Sequence, residues 1–149
     1  MLGGYEDNIV SSRRVDVFDP TDGSWTQIQD CPSRISHVDL VGGDAGFWFA
    51  GGMKDKPDRP TKDHIVSEVW HFNLELDRYT AAPLLPGPRA GGALARIDDQ
   101  LHYVSGLMKD RDTDSPDHFV FDLAMCRSTG AAEWSRAAPI PTPRNQHSV

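Results

Sequence analysis

Three carboxylates alternate with other residues in the second half of the chain, at Asp110, Asp112 and Asp114. Alternating acidic residues are the pattern with which a calcium-binding loop begins, because carboxylate oxygens surround a hard cation. The remainder of that loop does not follow, since Ser115 stands where a glycine makes the sharp turn and Phe121 where a glutamate completes the coordination. The sequence therefore predicts an exposed acidic turn and no metal site.

The histidines and cysteines carry no motif of a metal or catalytic site. The six histidines lack H-x-x-x-H spacing, and the two cysteines, Cys31 and Cys126, lie far apart in the chain. Asp117 and His118 could form an acid–imidazole pair for general-base chemistry. Neighbours on a strand point to opposite faces, however, so the two are not expected to cooperate. His71 is expected to be a packed, hydrogen-bonded imidazole. The sequence assigns no catalytic residue and no cofactor.

Composition excludes further classes of function. A net charge of −7 argues against a nucleic-acid partner, because phosphates require a surface rich in Lys and Arg. The longest apolar run, around residues 47–53, is too short to insert across a bilayer. No nucleophile elbow is present, and no helix follows the glycine-rich residues 87–92 to make a phosphate site. Sustained helical periodicity is also missing, which favours a β protein.

Recurring landmarks set the positions of the elements that would carry any site. Arg34, Arg89 and Arg144 each close a Pro-containing segment and are equally spaced along the chain. Further landmarks recur in one order in each interval, namely an aromatic residue shortly before the arginine (Trp25, Tyr79, Trp134), an upstream Phe-Asp or Phe-Asn pair, and a glycine pair that ends another apolar run. Such recurrence is the signature of a repeat architecture.

Each repeat contains four short β-prone segments. The first follows the arginine, at residues 36–41 and 91–97, and the second ends at the glycine pair. The third ends in the Phe-Asp or Phe-Asn pair, and the fourth contains the aromatic residue. Four antiparallel strands in a unit of about 50 residues are typical of a β-propeller blade.

These landmarks resemble the kelch motif, which orders a glycine pair, a strand ending in Tyr/Phe-Asp, a Trp and Pro-x-x-Arg. The match covers essentially the whole chain, with departures at Asn73, Tyr79 and Ser105. The resemblance implies an all-β fold, a kelch-type β-propeller segment of four-stranded antiparallel blades in an incomplete ring. Residues 35–89 and 90–144 are expected to be full repeats, 1–34 the outer half of a blade and 145–149 the start of the next. We expect a fragment of a larger propeller, or a chain that associates with further blades.

The resemblance also implies a binding face. In kelch propellers the connections between second and third strands, here residues 53–67 and 107–117, share one face with the residues that follow each Pro-Arg. His37 and His147 are expected at equivalent points of this face, three residues after their arginines. The candidate ligand-binding residues there are Ser36, His37, Lys54, Arg59, Asp110, Asp112, Asp114, Asn145, Gln146 and His147.

Long charged loops on a rigid ring suit recognition. We therefore expect a non-catalytic interaction scaffold whose partner is a protein or a glycan. The alternative is a segment of a kelch-propeller enzyme acting on sugars, either sialic-acid mutarotase-like or galactose-oxidase-like. Galactose-oxidase-like chemistry would need copper ligands and a Tyr-Cys cofactor, whereas Tyr79 and Tyr103 are explained by the repeat. A mutarotase-like role would rest on His37, His147 and Arg144.

Overall fold

The chain folds into antiparallel β-sheets with one short helix. The computed structural model describes residues 1–149 except 7–9, 44, 57–58, 131 and 149, and describes only the backbone of residues 56 and 59–63. Three sheets follow one another along the chain and are named A, B and C. A fourth, the hairpin sheet, joins residues that precede sheet B to an insertion within it.

The strands have the following bounds. Sheet A pairs β1 (Asp16–Asp19) with β2 (Ser24–Gln27). The hairpin sheet contains β3 (Ile35–Ser36), β6 (Met53–Lys56) and β7 (Arg59–Ile65). Sheet B contains β4 (Asp39–Gly43), β5 (Gly46–Ala50), β8 (Val69–Asn73) and β9 (Arg78–Ala82) in that spatial order. Sheet C contains β10 (Ala93–Ile97), β11 (Gln100–Val104), β12 (His118–Asp122) and β13 (Ser135–Arg136), with helix α1 (Leu123–Thr129) between the last two.

Sheet B is covered on both faces, which accounts for the continuous apolar run in β5. Alternate residues of a strand point to opposite faces. Phe47 and Phe49 pack toward sheet A in a cluster that includes Val15. Trp48 and Ala50 pack on the other face, in a cluster with the buried apolar side chains of sheet C. The core is therefore a stack of three sheets in chain order, with sheet B between sheets A and C.

The same backbone hydrogen bond recurs in all three sheets. A glycine N–H ahead of the last two strands of each sheet donates to a carbonyl oxygen at the end of the segment that leads to the next sheet, with N···O distances of 3.0, 2.8 and 3.0 Å for Gly4–Ile35, Gly52–Arg89 and Gly106–Arg144. The residue before each glycine is left-handed, and Ser105 adopts this conformation with φ 62° where the other two sheets have glycine. The structural equivalent of Arg89 is therefore Ile35, one residue after the arginine that the sequence aligns with it.

The three arginines have different surroundings, and the offset applies to Arg34 alone, because Arg144 is the structural equivalent of Arg89. Arg89 is 5% exposed; it pairs with Asp117, and its guanidinium carbon lies 5.8 Å from the ring centroid of Phe119. Arg34 is half exposed and donates to Glu6 at 3.0 Å and to a main-chain oxygen at 2.8 Å. Arg144 is exposed and donates to the carbonyl of Thr142. Only the second arginine ties two buried elements together.

In sheets B and C the recurring aromatic residue is hydrogen-bonded to the segment that follows the preceding sheet. The hydroxyl of Tyr79 in sheet B donates to the carbonyl of Gln29 at 3.0 Å. The indole N–H of Trp134 in sheet C donates to the carbonyl of Pro83 at 2.9 Å. The departure of Tyr79 from the Trp of the motif therefore retains the hydrogen-bond donor.

Two of the expected elements differ from the structure. Within residues 53–67, expected as a loop, the described residues include the paired antiparallel strands β6 and β7, and β6 also pairs with β3. The expected first strand at 36–41 is divided into β3 and β4 by His37, whose left-handed φ of 51° is incompatible with a continuous strand. In the next repeat the left-handed Gly91 interrupts the expected strand in the same way, and β10 begins two residues later.

Helix α1 is a further difference, because helical periodicity cannot be detected in seven residues. Its ends nevertheless carry standard caps. The carboxylate of Asp122 accepts from the N–H of Met125 at 2.8 Å, and the left-handed Gly130 donates its N–H to Cys126 at 3.0 Å. Within the described parts of the chain, no helix is long and apolar enough to cross a membrane.

Candidate functional site

One backbone position recurs at the junctions between the three sheets. The N–H of Gly91 donates to the carbonyl of His37 at 2.8 Å, and the N–H of Gln146 donates to the carbonyl of Gly91 at 2.6 Å. All three residues are left-handed, with φ of 51°, 60° and 51° for His37, Gly91 and Gln146. These inter-sheet turn residues are structural equivalents, so the partner of His37 in the third repeat is Gln146. The expected equivalence of His37 and His147 is wrong by one residue.

A polar cluster surrounds the first of these turns. Ser36 is 1% exposed and donates its hydroxyl to the Tyr5 oxygen at 3.1 Å. His37 Nδ1 lies 3.1 Å from the Tyr5 oxygen and 3.2 Å from Ser36 Oγ, and the two rings meet edge to face. The buried hydroxyl of Ser11 lies 3.3 Å from Ser36 Oγ and donates to the carboxylate of Asp55 at 2.9 Å. The cluster joins four chain segments.

The serine hydroxyls of this cluster are hydrogen-bonded to other parts of the chain. A catalytic serine needs an imidazole as base, and that imidazole is oriented by a third group on its other nitrogen. Here Asp55 accepts from the hydroxyl and the N–H of Ser11 rather than orienting His37. Ser36 is also too buried to meet a substrate. The cluster instead fixes the β6–β7 hairpin and the N-terminal segment to β3.

Sequence reasoning missed Tyr5 and Ser11 as members of this cluster. The backbone pattern shows why Ser11 belongs there, because Ser12 and Ser115 donate their N–H groups to the equivalent glycines Gly4 and Gly106. Ser11 thus corresponds to Asp114, the residue before Ser115. Ser11 and Ser12 carry no charge and belong to no recognised motif. Only their three-dimensional equivalence with Asp114 and Ser115 therefore identifies Ser11 as a member of the cluster.

The third repeat has its own polar pair at this level. The side-chain amide of Asn145 donates to the carboxylate of Asp114 at 2.6 Å. The contact joins residues 107–117 to the inter-sheet turn at Gln146. His147 lies apart from it, in a cavity of about 440 Å³ that it shares with Val104, Ile140 and neighbouring residues. Asn145 and Asp114 are therefore brought together, whereas His147 is not part of the pair.

The remaining acidic residues do not converge on a cation. The Asp110 carboxylate accepts from the hydroxyl of Thr113 at 2.7 Å, from its N–H at 3.0 Å, and from the N–H of Asp112 at 3.1 Å. These hydrogen bonds, the hydroxyl first, lower the pKa of Asp110. Asp112 is exposed, and Asp114 is bound to Asn145. Among the residues whose side chains are described, no three His, Cys, Asp or Glu lie close enough together to bind a metal ion.

The two basic candidates of the hairpin have different outcomes. Lys54 pairs with Glu68, whose carboxylate also accepts from the indole N–H of Trp70 at 3.0 Å. Burial alone would raise the pKa of Glu68, but the hydrogen bonds from Lys54 and Trp70 lower it below its usual value. The ammonium group of Lys54 is therefore paired within the fold rather than presented to solvent as an unpaired cation. The backbone of Arg59 lies in β7, and its side chain falls outside the described residues.

Asp117 and His118, considered from the sequence as an acid–imidazole pair, do not pair with each other in the structure. Asp117 accepts from Arg89, Arg136 and the hydroxyl of Ser115. Burial would raise the pKa of Asp117, but these hydrogen bonds lower it. His118 Nε2 instead lies 2.9 Å from Nδ1 of His102, a contact between adjacent strands that the sequence did not reveal.

Comparison with known proteins supports the repeat pattern. No protein-family model matches the chain. Beta-scruin of Limulus polyphemus is 23% identical over 120 residues, which are 80% of this chain and 12% of that protein. Kelch-like protein terF of Aspergillus terreus is 21% identical over 133 residues, 88% of this chain and 28% of that protein. Alpha-scruin of Limulus polyphemus is 22% identical over 146 residues, 94% of this chain and 15% of that protein.

A solved structure agrees at the level of fold. The structure of YjhT superposes with a TM-score of 0.73 at 15% identity, over 97% of this chain and 49% of that one. The chain is similar to kelch-repeat proteins in its recurring sequence landmarks and in its fold. Its sheets A, B and C are part of a kelch-type β-propeller of antiparallel strands. The chain spans between 12% and 28% of the length of the curated kelch relatives that it matches.

Proposed function

We propose that the chain is a non-catalytic recognition scaffold that binds a protein partner through one face. This loop face contains the β6–β7 hairpin, residues 107–117 and the inter-sheet turn residues. The observation that carries the proposal is the use of the polar side chains on this face. Ser11, Ser36, Asp55 and Asn145 bind other parts of the chain, so they fix the shape of the loops instead of presenting a reacting group. Loops positioned by a rigid scaffold are typical of binding surfaces.

The loop at residues 107–117 offers the charged part of this face. Lys109, Asp110, Arg111 and Asp112 are all exposed. Asp110 closes the loop by accepting from two backbone N–H groups within it, which reduces the conformational entropy that binding would have to remove. We further propose that residues 35–89 and 90–144 are the repeating units that support the face, with 1–34 and 145–149 belonging to adjacent units.

Charge reversal on the two faces tests the proposal. Asp112→Lys changes the loop face, and Glu75→Lys makes the same change in the β8–β9 turn, at the opposite end of sheet B; both residues are exposed. Affinity capture from extracts of the source cells should recover a discrete protein with the unaltered chain and with Glu75→Lys, and less of it with Asp112→Lys. Equal recovery by both variants would contradict binding through the loop face.

A second candidate, recognition or turnover of a sugar, is favoured by the contact between Tyr5 and His37. An aromatic ring beside an imidazole and hydroxyl groups is suited to packing on a sugar and donating hydrogen bonds to it. Here Tyr5 is 39% exposed, and its ring lies edge to face with that of His37. A glycan array distinguishes the candidates. Specific glycan binding that is lost in Tyr5→Ala would favour the sugar, and a blank array with protein capture would favour the scaffold.

A further inference from the structure

Helix α1 creates a pocket at the opposite end of the sheets from the loop face. In sheet A the turn at residues 20–23 joins β1 to β2, and in sheet B the turn at residues 74–77 joins β8 to β9. In sheet C the equivalent connection, from β12 to β13, is the longer segment 123–134 that contains α1. The helix packs against β11 and buries Leu123, which is 4% exposed. Because α1 follows the third strand, it lies beside the β4–β5 and β10–β11 turns. It therefore adds one side to the gap between sheets B and C.

The resulting cavity has a volume of about 270 Å³ and an aromatic surface. Trp48 and His71, on adjacent strands of sheet B, form that surface, with ring centroids 4.5 Å apart and an angle of 32° between the planes. Burial lowers the pKa of His71, so its imidazole is neutral at neutral pH. The pocket is completed by Ala45, Arg96, Leu123, Cys126 and Arg127. Two neutral rings therefore face a group of side chains from sheet C and α1.

The charged residues that line the described part of the pocket are both arginines. Arg96 and Arg127 share one carboxylate oxygen of Asp99, at 3.7 and 2.7 Å from their Nη2 atoms. The side chain of Arg96 is 18% exposed, whereas Arg127 and Asp99 are 55% and 52% exposed. An exposed ion pair contributes at most about 1 kcal/mol, so a competing anion can replace Asp99 at Arg127 at little cost.

We propose that this pocket binds a small aromatic carboxylate, with its ring against Trp48 and His71 and its carboxylate on Arg127. Guanidinium groups bind carboxylates through two parallel hydrogen bonds. An aromatic ring packs favourably on other aromatic rings in offset or tilted arrangements. The site is separate from the loop face and does not depend on the function proposed for it.

Benzoate is the probe for a first test by NMR. Titration into the labelled chain should shift the indole N–H of Trp48 and the amides of Leu123 and Arg127 in a saturable manner, with a Kd of about 1–10 mM for so small a ligand. Benzamide lacks the charge and cyclohexanecarboxylate lacks the aromatic ring, so each should bind at least about fivefold more weakly. Absence of saturable shifts with benzoate, or equal binding of the three compounds, would overturn the proposal.

Arginine variants test the polar contact. Arg127→Gln should weaken benzoate binding at least about fivefold without unfolding the chain, because the side chain is exposed. Arg78→Gln is the matched control, since Arg78 is an exposed arginine outside the pocket lining, and it should bind benzoate as the unaltered chain does. An Arg127→Gln variant that retains full affinity would refute the assigned orientation.

Cys126 provides a second measurement that is independent of NMR. The chain has two cysteines, and Cys31 is fully buried, so the thiol of Cys126 is the one that reacts in the folded state. Its thiolate attacks uncharged dithiodipyridine, forms a mixed disulfide and releases one thiopyridine, while the thiol proton passes to the buffer. Benzoate should slow this reaction with the same saturation as the NMR shifts, and benzamide should not. A rate that is unchanged at saturating benzoate would place the ligand elsewhere and reject the pocket.

Discussion

At the scale of the residue, a one-position offset decides what an arginine does. Arg34 and Arg89 occupy the same place in the sequence motif, but the backbone pattern makes Ile35 the equivalent of Arg89. Burial then separates their energetics. An exposed ion pair contributes little to stability, whereas removing one member of a buried pair leaves an uncompensated charge.

We therefore predict unequal losses of stability from the same substitution in the two arginines. Arg89→Gln should lower the free energy of unfolding by about 2 kcal/mol, because it removes the buried partner of Asp117 and leaves that carboxylate with the exposed Arg136 and the hydroxyl of Ser115. Arg34→Gln should lower it by less than about 1 kcal/mol, since both Arg34 and Glu6 are half exposed. Urea denaturation measures both values. Equal losses would show that Arg89 does not join the sheets.

Tyr79 gives a second prediction at this scale. Tyr79→Phe removes the hydroxyl that donates to Gln29, and should lower the free energy of unfolding by about 1 kcal/mol. Tyr79→Trp introduces the residue that Trp134 represents in sheet C, and should retain more stability because the indole N–H can donate to the preceding sheet. Thermal denaturation of the two variants checks the order. The hydrogen bond is unimportant if the Phe variant melts with the unaltered chain.

The sequence predicted individual residues with mixed success. The motif places the aromatic residues correctly, because Trp25 and Tyr79 are each the second residue of the last strand of their sheet and Trp134 directly precedes β13. The landmarks do not reveal the clustering of Tyr5, Ser11 and Asp55 with Ser36, because these residues come from different segments and only the sheet pairing brings them together. The contact of His102 with His118 depends likewise on the register of β11 and β12.

At the scale of the element, regular strands are easier to predict than insertions. The four-strand pattern of sheets B and C follows from apolar alternation and from turn residues between strands. The β6–β7 hairpin is rich in charged and polar residues, so its sequence reads as a loop until β3 is available as a pairing edge. Helix α1 has seven residues, which are too few to show helical periodicity, so its capping residues are the main sign of it in the sequence.

Capping gives the prediction for α1. Asp122→Ala should lower the free energy of unfolding by about 1 kcal/mol, because the N–H of Met125 loses its acceptor. Asp122→Asn should cost much less, since the asparagine oxygen can accept the same bond. Chemical denaturation compares the two variants. A similar loss in both would show that the negative charge, rather than the hydrogen bond, is what Asp122 contributes.

The loop at residues 107–117 makes a separate prediction. Asp110→Ala should accelerate hydrogen exchange at the amides of Asp112 and Thr113, because both donate to the Asp110 carboxylate. Asp112→Ala is the control and should leave the exchange of Thr113 unchanged, since the Asp110 contacts remain. Unaltered exchange in the Asp110 variant would mean that the backbone alone sets the loop.

At the scale of the whole molecule, packed imidazoles link stability to pH. Burial lowers the pKa of His71, and burial followed by the proximity of His118 lowers the pKa of His102. The unfolded chain therefore takes up protons at a higher pH than the folded chain does. The stabilisation is fully present above the unfolded pKa of about 6.5 and is lost as the pH falls through the lower folded values.

The substitution His71→Val tests this linkage. Valine occupies the equivalent positions 17 and 120, so it suits the site between sheets. The decline in the free energy of unfolding from about pH 7.5 to 5.5 should be smaller in His71→Val than in the unaltered chain. An identical decline in both proteins would assign the pH dependence to other groups.

The sequence predicts the architecture of the molecule more fully than its binding site. Landmarks that recur at similar intervals specify a stack of similar sheets, because each sheet needs the same turns, glycines and aromatic contacts. A binding face is made from the parts in which repeats differ, such as Asp110 in the 107–117 loop or the hairpin after Gly52. Their conformations depend on contacts between distant segments, which a repeat pattern does not contain.

The hydrogen bonds from Gly91 to His37 and from Gln146 to Gly91 use main-chain atoms at both ends. The joints between neighbouring sheets at this level are therefore made by the main chain, although imidazole, hydrogen and carboxamide occupy the three positions. A β-carbon at Gly91 would lie 3.1 Å from the nitrogen of Gln146, so the middle joint favours glycine whereas the outer two already carry side chains. A designer would therefore exchange side chains at His37 and Gln146 and leave Gly91 in place.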